Sequence, residues 1–161
     1  MRWLSALTLL VLTLTALAGT PAPEISLRDL GGQQYTLSSY KGKVVLLNFW
    51  ATWCGPCQVE MPHLQEIYTE FKDKGLVILG ISADDARTSS QVRSIVSAKK
   101  LTYPVLLDTS SVAVNAYNPS KTLPFNAIIA KDGTLAYQHS GYNAGDETTL
   151  RDKIIELLAA P

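Results

Sequence analysis

From Val44 to Phe49 the sequence is apolar on both faces of any strand it could form, and from Met61 to Phe71 apolar residues recur every three or four positions. The first pattern predicts a strand buried between two layers. The second is the inward stripe of a helix, with Met61, Leu64, Ile67, Tyr68 and Phe71 facing the core. Between them a short loop carries Cys54-Gly55-Pro56-Cys57, so the helix is expected to open at the cysteines and run to about Lys72. Pro62 removes one backbone donor inside it and should kink it.

The flanking segments complete the pattern. Ile25-Ser26-Leu27 and Gln34-Tyr35-Thr36-Leu37 alternate around Asp29-Leu30-Gly31-Gly32, which reads as a β-hairpin, and residues 38–43 read as a turn or one helical turn. Gly75 closes the first helix, and Leu76 to Ser82 is a second buried strand. A helix over about Thr88 to Lys100 turns Val92, Ile95 and Val96 inward. It is followed by a strand from Tyr103 to Leu107 and a short helix from Ser110 to Tyr117. Phe125 to Ala130, a turn at Lys131-Asp132-Gly133 and Leu135 to His139 form a second hairpin, and a helix from Asp146 to Leu158 closes the chain. Strand–helix–strand units with a hairpin and a closing helix predict an α/β fold, a central mixed sheet with helices on both faces. In such sheets the site lies beyond the carboxyl end of a central strand, and Cys54 stands there.

A length of 161 residues and an apolar fraction of 47% suit one domain with a full core. Lysine plus arginine and aspartate plus glutamate number 14 each and are scattered, which excludes a nucleic-acid-binding stripe. The first segment stands apart. Met1-Arg2 is positive, Trp3 to Leu17 carries no charge, and Ala16-Leu17-Ala18 offers small residues for a signal peptidase. Residues 1–18 are therefore expected to be a cleaved signal peptide and 19–161 the mature domain of an exported, periplasmic protein. The alternative is a retained N-terminal membrane anchor, but spanning needs about 20 apolar residues and this run is interrupted by Thr8, Thr13 and Thr15.

Export makes a structural disulfide the default for a cysteine pair. Closing so short a loop, however, removes only about 2 kcal/mol of unfolded-state entropy. A structural zinc site wants four ligands, and beyond the two cysteines only His63 and His139 remain, at no ligand-pair spacing. No metal site is expected, and the pair is read as redox-active. Cys54, at the helix N-terminus, is expected to be exposed and held as a thiolate by the unpaired N–H groups and the helix dipole, making it the nucleophile. Cys57, one turn in and more buried, resolves the mixed disulfide. Pro56 lies where a missing donor is harmless, and Gly55 keeps the approach open. Glu60 follows Cys57 by three residues on the same helical face. It is either a solvated helix glutamate or, partly buried beside Met61 and Leu64, a proton-transfer group with a raised pKa. Leu123-Pro124 is either an ordinary trans pair or a cis bond that leaves the Leu123 backbone free for an extended substrate. Of the aromatic residues flanking the site, Trp50 is expected to pack in the core and Trp53 to cover the Cys54 side. His63 is expected on an exposed helix face and His139 in a structural role.

The run Asn48-Phe49-Trp50-Ala51-Thr52-Trp53-Cys54-Gly55-Pro56-Cys57, with Glu60, Pro62 and Pro124 before a strand, resembles the thioredoxin superfamily. Within it the chain is similar to exported TlpA/ResA-type thiol–disulfide oxidoreductases. The resemblance implies a thioredoxin fold with an N-terminal β-hairpin (residues 24–37) and an inserted strand–helix (76–100). It implies protein disulfides and dithiols as substrates, no cofactor, and a membrane-bound electron donor; the chain is expected to act as a monomer. Asn48 replaces the buried aspartate of cytosolic thioredoxins, which passes the acid role to Glu60, and Pro124 is implied to be cis. Trp53, Gly55, Pro56, Leu123, Pro124 and Phe125 are implied to contact substrate. Phe125 departs from the threonine common after the cis proline and would make the docking surface more apolar. An acidic residue there, usual in the cytochrome c maturation subgroup, is absent, which favours a general periplasmic reductant. Two alternatives remain: a thiol peroxidase, against which the cysteine loop lacks an arginine, and a copper chaperone or metal-binding module, against which the two-residue cysteine spacing argues.

Overall fold

The computed structural model describes residues 19–161, and the expected signal peptide lies outside the described residues. The chain opens with a hairpin of β1 (Ser26–Asp29) and β2 (Gln34–Thr36). Asp29 ties its turn, Oδ1 accepting the N–H groups of Gly31 at 2.8 Å and Gln33 at 2.9 Å. A 3-10 turn over Leu37–Tyr40 leads into β3 (Val44–Trp50), which is buried at all 7 positions. Next come α1 (Gly55–Phe71), a further 3-10 turn over Lys72–Lys74 ended by Gly75 at φ 103°, and β4 (Leu76–Ser82). The order continues with α2 (Ser89–Ala98), β5 (Val105–Leu107), α3 (Val112–Tyr117), β6 (Phe125–Ile129), β7 (Leu135–Ser140) and α4 (Asp146–Ala159).

The strands form one mixed sheet in the order β2-β1-β5-β4-β3-β6-β7. β3 and β5 run parallel to β4, while the other pairings are antiparallel. Alternation along β3 splits the core in two. Val44, Leu46 and Trp50 pack with Met61, Leu64, Ile67 and Phe71 of α1, Val92 of α2, and Leu150 and Ile154 of α4. Val45, Leu47 and Phe49 pack on the other face with Ala113, Val114 and Tyr117 of α3. Helices cover both faces, and each fully buried aliphatic or aromatic side chain among these contributes about 1.5–3 kcal/mol.

Where element ends differ from the periodicity, a polar group or a proline sets the limit. Tyr103 stays outside β5 because Pro104 has no N–H to give, although its carbonyl accepts the Gly80 N–H at 2.9 Å. α3 opens at Val112 rather than Ser110, since Asp108 caps it by accepting from Val112 N–H (2.9 Å) and Val114 N–H (2.8 Å). α1 runs unbroken through Pro62, which lies on its exposed side.

One row of paired residues crosses the sheet beneath α1: His139, Asn126, Asn48, Gly80 and Val105, from β7 to β5. Gly80 has no side chain because Tyr103 folds over it. An added Cβ would lie 3.1 Å from Tyr103 Cε2, 3.4 Å from Val105 Cγ2 and 3.5 Å from Trp50 Nε1. These neighbours are buried, so Gly80→Ala is expected to cost about 1–3 kcal/mol, read as a lower urea midpoint at unchanged slope. An unshifted midpoint would refute the close packing over Gly80.

Candidate active site

The loop between β3 and α1 is braced from β4. Asp84, buried just after β4, accepts the Thr52 N–H (2.9 Å) and the hydroxyls of Thr52 (2.6 Å), Ser82 (2.8 Å) and Thr88 (3.1 Å). Gln58 reaches back from α1 and donates to the Thr52 carbonyl at 2.9 Å. The sequence marks Asp84 only as part of a loop; an aspartate directly after a buried strand and opposite Thr52 was the signal for this brace.

That loop delivers Cys54 as the residue that caps α1, its Sγ accepting the Cys57 N–H at 3.3 Å. Cys54 and Cys57 are joined in a disulfide, with Cα atoms 5.3 Å apart. Cys54 is not exposed as expected: it retains 5% accessibility against 1% for Cys57. The bond to Cys57 and the turn back onto its N–H lay the Cys54 side chain against the helix. Position rather than openness separates the two sulfurs, since Cys54 meets the unpaired amides of the first turn and Cys57 lies beneath them. Gly55 and Pro56 are exposed in that turn.

Glu60 is buried, with 3% of its surface accessible. Asn48 Nδ2 donates to its Oε2 at 3.0 Å and Asn126 Nδ2 to its Oε1 at 2.6 Å, while Asn48 Nδ2 also donates to Asn126 Oδ1 at 2.9 Å. Burial pushes the carboxyl from its ordinary 4.5 up to about 7, against the downward pull of the Asn126 and Asn48 amides; Asp146 and Glu147 add smaller upward pushes. Burial likewise raises the Tyr103 phenol, with Glu60 contributing further. Asn126, two residues past Pro124, was missed in the sequence because its partner is 66 positions away.

Residues 18–138 match the AhpC/TSA family. The chain belongs to that family. It is 41% identical over 120 residues to the thiol-disulfide oxidoreductase ResA of Geobacillus kaustophilus, covering 74% of this chain and 67% of the relative. Among solved structures it superposes with a TM-score of 0.81 on a Chlorobium tepidum protein designated a thiol:disulfide interchange protein, DsbE. The two share 27% identity, with 88% of this chain and 97% of the other covered. A Bacteroides thetaiotaomicron structure designated a protein disulfide isomerase gives a TM-score of 0.81 at 30% identity, covering 91% and 92%. The fold is thioredoxin-like, and the chain is a thiol–disulfide oxidoreductase acting on protein dithiols and disulfides.

In this AhpC/TSA family member the Leu123–Pro124 bond is cis, the one such bond among the described residues. Neither the N–H nor the carbonyl of Leu123 takes part in a backbone hydrogen bond there. Trp53 is 72% exposed and lines a groove of about 240 Å³ with Ala83, Ser111, Val114, Lys121 and Leu123. Phe125 is the second correction. The sequence suggests an apolar docking residue, but its side chain is 6% accessible and sits in the core, edge-on to Phe49 with ring centroids 5.8 Å apart. The first residue of β6 points to the face opposite Asn126, so its ring packs with Phe49 and Tyr117 beneath α3. Trp50 is core, as expected. His63 stacks on Tyr142 at 6.3 Å, and His139 pairs with Asp146 at 3.1 Å.

Two outcomes follow from these networks. Asp84→Ala strands the half-buried Thr52 N–H and the buried Ser82 hydroxyl and is expected to cost about 1–3 kcal/mol in urea denaturation, more than Asp84→Asn. Between pH 4.5 and about 7 the folded state holds a proton on Glu60 that the unfolded chain releases. Stability from this group is therefore full below pH 4.5 and lost as pH rises to about 7, by roughly 3 kcal/mol. Glu60→Gln should flatten that slope in a pH series of unfolding curves.

Proposed function

We propose that this thiol–disulfide oxidoreductase reduces disulfides of exported proteins in the periplasm, recharged by a membrane-bound electron donor and working as a monomer. The Cys54 thiolate attacks one sulfur of a client disulfide, forming a mixed disulfide and releasing the other client sulfur as a thiolate. Cys57 gives its proton to Glu60 and attacks Cys54 Sγ; the bond to the client breaks, the client leaves as a thiolate, and Cys54–Cys57 closes. The disulfide in the structure is the end state of that cycle.

One observation carries this reading. A carboxyl with a pKa of about 7 is fixed on α1 one turn beyond Cys57, where a buried thiol must lose its proton at neutral pH. Leu123 with its free backbone, the cis Pro124, Trp53, Gly55 and Pro56 supply the docking side, a client strand pairing with Leu123. Phe125 supports the cis-proline loop from below. Export rests on the uncharged leader from Trp3 to Leu17. No helix among the described residues is long and apolar enough to cross a membrane. The absence of an acid after Pro124 favours a general reductant over one dedicated to haem maturation.

The redoxin-like inserted strand–helix of residues 76–100 leaves thiol peroxidase as a second reading. Against it, each arginine among the described residues donates elsewhere: Arg28 to Gly32, Arg87 to Asp85, Arg93 to Leu30 and Arg151 to Glu70. Insulin reduction, peroxide consumption and Cu(I) titration on one sample separate the reductase, the peroxidase and the metal-binding module. The Cys54–Cys57 potential is expected nearer −270 than −120 mV on the scale of roughly that span for this fold. A potential at the oxidising end defeats the reductant direction. Cys57→Ala should accumulate the Cys54–client mixed disulfide, and Cys54→Ala should form none.

A further inference from the structure

We propose that Asn126, together with Asn48, is a positioning residue of the active site: the two amides hold the Glu60 carboxylate in one orientation, one N–H on each oxygen, and so decide when it is charged. The inference rests on the reading of Glu60 given above and adds residues to it.

The three side chains close a ring of hydrogen bonds, Asn126 Nδ2 to Oε1 at 2.6 Å, Asn48 Nδ2 to Oε2 at 3.0 Å, and Asn48 Nδ2 to Asn126 Oδ1 at 2.9 Å. Only one set of amide orientations permits this. Turning Asn48 over would set its Oδ1 against Glu60 Oε2 and Asn126 Oδ1, both acceptors. Turning Asn126 over would set Oδ1 against Oε1 and two donors against each other. The ring leaves Asn48 Oδ1 buried with no partner among the described residues. An arrangement that leaves an acceptor unpaired in order to aim both donors at the carboxyl is complementary to its ionised form. Asn48 and Asn126 are each 1% accessible and are directly paired on β3 and β6, so the donors stand on rigid elements. Asn126 also stands two residues past the cis Pro124, so one strand carries both the client-docking turn and the carboxyl's support.

Other groups coupled to this carboxyl come from several elements: Tyr103 before β5, Tyr142 after β7, and Asp146 and Glu147 at the start of α4, while Cys57 stands three residues before it on α1. His139 pairs with Asp146, and the charge of His63 acts on Glu147. Asn126→Ala and Asn48→Ala leave all of these in place and each remove one donor.

The test is a ¹³C NMR titration of the Glu60 carboxyl in the reduced full chain. The pH dependence of Cys57 alkylation, read by mass spectrometry, is followed alongside it. Wild type should titrate at about 7. Asn126→Ala should move that midpoint up by about one pH unit, and Asn48→Ala by less, because its bond is the longer. An unmoved Glu60 midpoint in either variant that keeps the native fold overturns the proposal. A moved Glu60 midpoint with an unmoved alkylation profile upholds the positioning role and overturns proton transfer by Glu60 instead.

Discussion

Burial of β3 along its whole length is the constraint on which the rest of the molecule depends. A strand covered on both faces cannot hand a polar side chain to water, yet Asn48 lies in its middle. Its Nδ2 must be met from within the core, and the acceptors available are those of α1 and β6. Glu60 and Asn126 supply them, and the redox helix is thereby locked to the sheet at a fixed rotation. The acid beneath the cysteines is thus part of how α1 is seated, and the same contacts that place it also keep it from water.

Two loops are held to this seat by different means. Asp84 gathers the Thr52 backbone and three hydroxyls, so the turn ahead of Cys54 is fixed from the end of β4 as well as by Gln58 of the helix it precedes. The cis-proline turn is fixed by continuity with β6, whose first two residues enter opposite cores: Phe125 packs on Phe49, and Asn126 meets Glu60. Both turns therefore take their positions from strands, which move less than loops.

The elements were legible because their causes are local. Apolar alternation and the three-to-four spacing of Met61, Leu64, Ile67 and Phe71 placed β3 and α1, and Leu76 to Ser82 matched β4 at both ends. The cysteines, Glu60 and the cis bond at Pro124 were named from motif and resemblance. What escaped depends on residues meeting across the sheet. Asn126 gains its meaning only from register with Asn48, Asp84 only from a loop 32 positions earlier, and the burial of Cys54 only from the bond that folds it back. Phe125 was misread because its neighbour Pro124 suggests a surface turn, whereas strand parity sends the ring inward.

A protein that handles the cysteines of other chains meets clients with unpaired strands, for which an open sheet edge is an invitation to join. Here one edge strand, β2, has 3 residues, too few to template a long pairing. At the other edge residues 20 and 21 lie against the start of β7: Thr20 accepts the Leu135 N–H at 2.8 Å, and Pro21 bridges Thr134. Proline has no N–H to offer a newcomer. With its edges short or partly covered, the fold gives a client's strand little to pair with beyond the sulfur it exchanges.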